Sequence, residues 1–424
     1  MRFLLLGKGA REHAIAWALA RSSFVDEIHS MPGNVGIGQI AETHAGDPED
    51  VTSVCRLCEH LAADIVIVGP EAPLVAGIAD ALADKGIPTF GPRSAGAKLE
   101  GSKAFAKEFM ARHKIPTAGF DICRNMEEAK GALQKRHAPY IVKAHGLAAG
   151  KGVFVLKTKN EALEVSRQLL EENLLKEAGR TIVIEDYLPG KELTVLVITD
   201  GDSWKILPPS QDHKRVFDGD AGPNTGGMGA FCPVPSITED LLADVEAKVV
   251  SPTIQGLASE GIPFTGVLYF GLMISENGIF RVLEYNVRMG DPETQVVLPV
   301  FPGDFAEAAY AACNGDLTNV SWRSTGDSAV GIVMASGGYP GKYSKGFEIR
   351  GIDSLPFDNK TLIFHAGTRK SDGRLVTDGG RVLTVVGVGG GIGDARRRAY
   401  GAAERISFEK AHYRRDIASF AQGE

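Results

Sequence analysis

The stretch KAHGLAAGKGV, residues 143–153, decides how the rest of the chain is read. Its glycines Gly146, Gly150 and Gly152 let backbone amides approach an anion closely, and Lys143 and Lys151 supply positive charge. A phosphate-binding P-loop, however, has four residues between its glycines and then Lys followed by Ser or Thr. Here three residues separate Gly146 from Gly150, and Gly152 stands where the metal-binding hydroxyl belongs. The flanks differ too. A P-loop runs from strand into helix and uses the helix N-terminus, whereas VFVL (153–156) leaves this loop as a strand. The segment therefore reads as a hairpin flap that closes over phosphates with its amides, Lys143 reaching them from the preceding strand. The plainer alternative is a glycine-rich surface hairpin.

If the flap holds phosphates, a metal ligand is needed elsewhere. RVLEYNVRMGDPETQ (281–295) supplies one. Glu284 and Asn286 are two apart on a strand, so both side chains leave one face. Carboxylate and amide oxygens are hard ligands suited to magnesium. Paired polar residues on a strand are commonly a solvated face; the dense turn that follows, with Arg288, Gly290, Asp291 and Glu293, favours an anion-and-metal site.

Around these segments the chain reads as α/β. RFLLL (2–6) is an apolar run expected of a strand buried on both faces of a parallel sheet, and GKGAREHAIAWALARS gives a glycine turn and a helix. DIVIVGPEAPL and IPTFGP repeat the strand-and-turn pattern, giving an open parallel-sheet domain over 1–101 with its ligand loops at the strand ends. GSKAFAKEFMARHKIP (101–116) is a helix with Ser102 as N-cap and Ile115-Pro116 as its stop. A second domain spans 102–323, with a lid at about 118–188, a long helix near 160–175 and a strand TIVIEDYL (181–188). From 191, KELTVLVITDG, FTGVLYFGLMIS and GIFRVLEYNV read as antiparallel strands, with PNTGGMGAF as a glycine-rich loop among them. SAVGIVMAS, KTLIFHAGT and RVLTVVGVG make 324–424 a small β-rich domain, and the glycines of VGVGGGIGDARRRA read as a loose turn.

Composition narrows the function classes. At 424 residues, 44% hydrophobic and 23% charged, this is ordinary globular material. A net charge of −7 argues against nonspecific nucleic-acid binding, and no apolar run approaches the roughly 18 residues of a membrane span. Five scattered cysteines fit reduced thiols in a cytoplasm. Cys55 and Cys58 form a C-x-x-C without a second pair, in a segment of helical periodicity, and read as ordinary helix cysteines. The chain holds 51 glycines, against the roughly 30 of average usage. They cluster between strand-like runs, where backbone turns sharply or approaches a ligand.

The lysine at a helix start, the lysine before a glycine flap, the strand IVIEDYLPGKE and the later Glu-x-Asn together resemble the ATP-grasp ligases. Within them, GKGAREHA, VGPEAPLV, GPRSAGAKLEGSKAFAK, GLAAGKGV, SQDHKR, GPNTGGMGA and GDPETQ, in that order, are similar to the phosphoribosylamine–glycine ligase family; GGYPG, FHAGT and DGGRVL extend the match into the last domain. The resemblance implies a monomeric enzyme of purine biosynthesis acting on ATP, glycine and 5-phosphoribosylamine, with Mg2+ or Mn2+. It implies that Lys103 and Lys143 hold ATP phosphates under the flap Gly146–Gly152, including Gly150 and Lys151. Glu185, Asp186, Tyr187 and Leu188 would meet the adenine edge, and Glu192 the ribose hydroxyls. Glu284 and Asn286 would bind the metal; Arg288, Gly290 and Asp291, with Lys143, would surround glycine and the reacting phosphoryl group. Gly7, Gly9, Arg11, Glu12, Asp212, Lys214, Arg215, Asn224 and Thr225 would form the phosphoribosylamine side.

The chain departs from the family at two places. His145 stands where the family has Asp, and the first glycine turn reads Gly9-Ala10 rather than Gly-Gly. If His145 faces the phosphates, its protonation below about pH 6.5 strengthens nucleotide binding; on a solvated loop it is a bystander. A biotin-dependent carboxylase subunit would share the lysines, flap and metal ligands but lack GPNTGGMGA and GDPETQ. A dinucleotide-dependent oxidoreductase is suggested by Gly7-x-Gly9, but Glu12 occupies the third glycine position of that fingerprint.

Overall fold

A computed structural model describes residues 1–148, 152–322, 326–355 and 358–421. The N-terminal sheet is parallel, in the order Glu42–Thr43, Glu27–Pro32, Arg2–Gly7, Ile65–Val68, Thr89–Phe90. Leu4, Leu5 and Leu6 on its central strand are fully buried, as a strand covered on both faces requires. The chain order reverses between Arg2–Gly7 and Ile65–Val68, and ligands of open α/β sheets sit at such a switch point. The turn after Gly7 and the one after Val68 meet there. Cys55 and Cys58 face the core from helix Val51–Leu61, and burial pushes the Cys58 thiol up to about 12.

Helix Lys103–Arg112 starts where Ser102 Oγ accepts from the Phe105 amide, buries Phe109, and stops at Lys114, whose φ is 57°. The next sheet is antiparallel, in the order Phe120–Cys123, Ile182–Glu185, Tyr140–Ala144, Val153–Leu156. Helices Met126–Gln134 and Lys159–Leu170 cover it, capped by Asn125 and Thr158, and share its small separate core with Ile182, Ile184 and Val142. The second helix ends before the expected 175. Asn173 takes φ 55° and the Leu174 amide donates to Gln168 O, a left-handed stop that returns Leu175 to the core.

A second antiparallel sheet runs Trp204–Ile206, Lys191–Thr199, Gly266–Ile274, Phe280–Asn286. Its last strand carries a bulge. Glu284 pairs with Gly271 and Val282 with Leu272, so Leu283 is the extra residue. Phe280 and Val282 are buried before the bulge and Tyr285 after it; the buried set changes parity, and Glu284 and Asn286 turn away from the core.

The final sheet is ordered Gln211–Asp212, Gly229–Cys232, Ser328–Ser336, Arg381–Gly389, Thr361–His365. Its first two strands come from the middle of the chain, so the loop PNTGGMGAF leads into this sheet rather than lying among the strands of the previous one. Gly229 permits the approach, since a Cβ there would lie 2.7 Å from Gly331 O. The expected loose turn is short, and Ile392–Ala403 is a helix packed on the sheet. Among the described residues no single helix is long and apolar enough to cross a membrane.

Candidate functional site

Strand Phe280–Asn286 and the turn after it form a spine along which charged side chains from all parts of the chain meet. At one end lies a buried cluster. Lys143 Nζ and Lys107 Nζ each stand 3.0 Å from Glu185 Oε2. Lys107 also donates to Thr117 Oγ1 at 2.7 Å, and Lys143 to Leu283 O at 3.3 Å, the carbonyl that the bulge turns outward. Burial raises the Glu185 carboxyl, but Lys143 and Lys107 overcome it and hold the group below its ordinary range. Burial pushes Lys107 down to about 8, with Glu185 opposing. Glu185 was expected to offer backbone to an adenine edge. Its side chain has this second task, and its Oε1 is buried without a hydrogen bond. Asp186 pairs with Arg136 at 3.1 Å, Tyr187 is exposed and Leu188 half-buried.

Next along the spine is Glu284. Among the described residues its carboxylate accepts no hydrogen bond, and its one ion pair is with Lys214, 3.9 Å away. Burial pushes its pKa up, and Lys214, Lys143, Lys103 and Arg288 together pull it below the usual value. Lys103 has no ion pair among the described residues; burial lowers its pKa against the pull of Glu284. Asn286 Oδ1 accepts from Arg288 Nη2 at 3.1 Å and keeps a lone pair. A carboxylate without donors beside an amide oxygen, among cations that keep it ionised, fits a divalent metal that also holds phosphates. Lys214, expected on the phosphoribosylamine side, lies 2.5 Å from Glu192 Oε2 and so joins the acid expected at the ribose to Glu284. Asp212 is close by, and burial holds its carboxyl well above the ordinary range.

Beyond Asn286 the spine meets the N-terminal sheet. Arg288 pairs with Glu100 at 2.9 Å and Glu71 at 3.4 Å, and Glu100 Oε2 accepts from the Val287 amide. Arg11 Nη1 donates to Met289 O at 3.3 Å and its Nε to Glu12 Oε1 at 2.5 Å. Glu12 is wedged between two glycines. A Cβ at Gly69 would lie 2.2 Å from its Oε1, and one at Gly7, where φ is +126°, 2.6 Å from its Cγ. Its other oxygen takes the Gly9 amide at 2.5 Å. The carboxylate thus fills the space, and uses the donor, that a dinucleotide pyrophosphate needs.

The far end is closed by the C-terminal sheet. Arg381 Nη2 stands 2.6 Å from Asp291 Oδ2, and its Nη1 donates to Asp291 O and Gly226 O. Gly227, at φ +107°, packs against Pro292; a Cβ there would sit 2.3 Å from the proline Cδ. Gly290 packs against Glu293, which accepts from Tyr269 Oη at 2.8 Å. Arg215 and Asn224 are cross-strand partners in a small hairpin, and Thr225 Oγ1 donates to Lys214 O.

Gly146 already spends its amide on Ala178 O, and Gly152 O accepts from the Ala144 amide. Gly150 and Lys151 lie outside the described residues. Glu71, Glu100, Lys107 and Arg381 escaped the sequence reading as site residues. All lie in segments quoted above, but their partners are up to hundreds of positions away, and no local spacing marks them.

His145 lies at a helix start. Its Nδ1 accepts from the Ala104 amide at 3.4 Å, and its carbonyl accepts from the Lys103 amide, so the ring sits at the start of helix Lys103–Arg112. Burial and the charge of Lys103 lower its pKa. The ring is therefore harder to protonate than a free imidazole. ATP affinity of the wild type is expected to stay flat between pH 7 and 6, and His145→Asp to change it by less than about threefold, a carboxylate being another acceptor at a helix N-terminus. Parallel titrations of both proteins check this; a wild-type affinity that strengthens as pH falls would restore the cationic role.

The chain matches the family models described as the phosphoribosylglycinamide synthetase N domain over 1–100, ATP-grasp (A) domain over 101–294 and C domain over 329–420. It is 43% identical over 419 residues to a phosphoribosylamine–glycine ligase of Vibrio parahaemolyticus, covering 98% of this chain and 97% of that one. The crystal structure of a phosphoribosylamine–glycine ligase from Thermotoga maritima superposes with a TM-score of 0.87 at 38% identity, covering 98% of this chain and all of that one. A biotin carboxylase from Campylobacter jejuni shares the fold, with a TM-score of 0.76 over 97% of this chain and 92% of that one, at only 13% identity.

Proposed function

The chain belongs to the phosphoribosylglycinamide synthetase family, and from that premise we propose that it joins glycine to 5-phosphoribosylamine at the expense of ATP, giving glycinamide ribonucleotide, ADP and phosphate in purine biosynthesis. The observation that carries the reading is the convergence of Lys103, Lys143 and Lys214 on Glu284, a half-buried carboxylate that accepts no hydrogen bond among the described residues.

A carboxylate resists attack by an amine at neutral pH, because its carbon is electron-rich and oxide leaves poorly. One glycine oxygen therefore attacks the γ-phosphorus, the bond to the bridging oxygen breaks, and ADP departs with the electron pair. The amine nitrogen then attacks the carbonyl carbon of glycyl phosphate. The carbon–oxygen bond to phosphate breaks, the nitrogen sheds a proton, and the amide remains. No side chain becomes covalently attached; positioning and charge stabilisation suffice.

Lys103 and Lys143 neutralise the terminal phosphates, and the Glu185–Lys107 pair holds Lys143 in place. Glu192 takes the ribose hydroxyls, and the segment Asp186, Tyr187 and Leu188 the adenine edge. Arg288, fixed by Glu71 and Glu100, and Asp291, fixed by Arg381, bracket glycine and the reacting phosphoryl group beside Gly290. Gly9, Arg11, Asp212, Asn224 and Thr225 line the amine side. Glu284 and Asn286 would hold a divalent metal, Mg2+ with Mn2+ as the alternative, which supplies charge neutralisation at the phosphates. The lid sheet over about 118–188 closes to keep water from the acyl phosphate. We assign the domains as 1–101, 102–323 and 324–424, the last completed by strands from the second, and the protein as a cytoplasmic monomer.

Glycine labelled with heavy oxygen tests the chemistry. Label is expected in inorganic phosphate, with ADP as the nucleotide product. AMP and pyrophosphate in stoichiometric amounts, or unlabelled phosphate, would overturn the mechanism.

A further inference from the structure

Far from the spine, the outer edge of the N-terminal sheet carries two copies of Glu-x-His, Glu27–His29 and Glu42–His44, on neighbouring parallel strands. His29 pairs with Glu42 in register, and the His44 amide continues the ladder to Ser30 O. Because side chains alternate along a strand, all four point from one face. His29 Nδ1 lies 3.0 Å from His44 Nε2, with Glu42 carboxylate oxygens 3.7 Å from the first and 3.9 Å from the second. Glu27 Oε2 stands 3.3 Å from His29 Nε2 on the other side of the ring. That contact holds the His29 proton on Nε2 and leaves Nδ1 with its lone pair facing His44.

We propose that His29 Nδ1, His44 Nε2 and the Glu42 carboxylate form a binding site for a divalent transition metal, with Zn2+ the best match, completed by water. Two imidazoles and a carboxylate are a borderline donor set that zinc accepts in tetrahedral geometry, with ligand bonds of about 2.0–2.1 Å. Such bonds put neighbouring donors about 3.3 Å apart; the two histidine nitrogens, at 3.0 Å, are already near that spacing, and one Glu42 oxygen has to swing in by about half an ångström or more. Glu27 is the outer partner that metal-bound histidines commonly keep, fixing tautomer and ring orientation. His29 is nearly buried and His44 mostly so, while Glu42 is exposed and free to swing inward. On binding, the His44 proton moves from Nε2 to Nδ1, so both rings stay neutral and no net charge is lost.

The metal would clip two strands that are otherwise joined by a short edge pairing. Residues between the clip include Asn34, whose Nδ2 donates to Lys8 O at 2.8 Å and His365 O at 2.7 Å. The clip therefore braces the loop that supports the first glycine turn, and it does so independently of the ligase reading.

The full-length protein, stripped with chelator, is titrated with Zn2+ and with Co2+, in the wild type and in Glu284→Gln to silence the metal site proposed on the spine. We expect Glu284→Gln to retain one tightly bound equivalent, a rise in melting temperature with Zn2+, and a visible Co2+ spectrum of four-coordinate type. His44→Gln and Glu42→Gln should weaken binding by more than about 100-fold and Glu27→Gln by about 10-fold, the range for an outer partner, with melting temperature in chelator and ligase turnover unchanged. Glu42 is exposed, so its variant is not expected to disturb the fold. Zn2+ binding that Glu284→Gln abolishes, binding unaffected by both His44→Gln and Glu42→Gln, or no binding below millimolar Zn2+ would each overturn the site.

Discussion

Glu284→Gln is expected to lower kcat by about 10²-fold or more at saturating ATP, the scale seen when a contact to developing phosphate charge is lost. The substitution keeps shape and one oxygen but removes the charge around which Lys214, Lys143 and Lys103 are gathered. The fold should survive. Glu284 makes no hydrogen bond among the described residues, its side chain is 35% exposed, and its partner Lys214 keeps Glu192 at 2.5 Å. A partly exposed pair at 3.9 Å contributes little to stability, about 0–1 kcal/mol. Steady-state turnover against metal concentration, beside a urea unfolding curve, separates the two effects. Near-normal turnover with an unchanged metal requirement would remove Glu284 from the site.

The sequence made part of this arrangement legible and hid the rest for identifiable reasons. Leu4 to Leu6 announced a doubly buried parallel strand because burial on both faces leaves no polar alternation to read. Ser102 announced a helix start because capping is local. Glu284 and Asn286 could be paired from alternation alone, yet the bulge at Leu283 that turns them from the core could not. A bulge is defined by pairing with Gly271 and Leu272, a relation between distant segments. The same holds for Arg288. Its charge was visible, but not that Glu71 and Glu100 clamp it from another domain. For Gln211–Asp212 and Gly229–Cys232 the strand pattern is too short, and the adjoining sheet lies a hundred residues downstream. His145 stayed open in the sequence for a different reason. A loop histidine suggests a titrating group, and only its place at a helix start, with Nδ1 accepting an amide, shows why its proton is held less readily.

Glu185 shows how far such hidden relations matter, and its replacement by Gln should be the most damaging single change to stability in the molecule's interior. The side chain is 2% exposed, and one oxygen serves both Lys107 and Lys143. Breaking a buried pair from one side costs about 3–5 kcal/mol, because the remaining charge loses its partner without regaining water. Here two ammonium groups are orphaned at once. The pH dependence identifies them. In the wild type Lys107 titrates at about 8 when folded, against an ordinary value of 10.5. The unfolded chain binds more protons between those values, so this group makes stability rise with pH across that window. Glu185 gives a slope of the same sign in an acid window. Its folded pKa is depressed, so its stabilisation is full above the ordinary carboxylate value of 4.5 and fades as pH falls through the folded value. In Glu185→Gln the pull that raised the Lys107 pKa is gone, so the amine sheds its proton at lower pH. The deficit relative to wild type should therefore be about 3–5 kcal/mol at low pH, shrink as pH rises towards 8 and level off above it, where the amine is neutral in both folded proteins. Lys107→Met added to Glu185→Gln should recover stability at pH 7, since one orphaned charge is replaced by an apolar chain. It should not recover turnover, because Lys143 would still lack the carboxylate that aims it. Urea titrations of the three proteins at pH 7, 8 and 9 measure this. A deficit that stays constant with pH would mean that the buried lysines are not the groups Glu185 stabilises, and recovery of turnover in the double variant would release Lys143 from its dependence on Glu185.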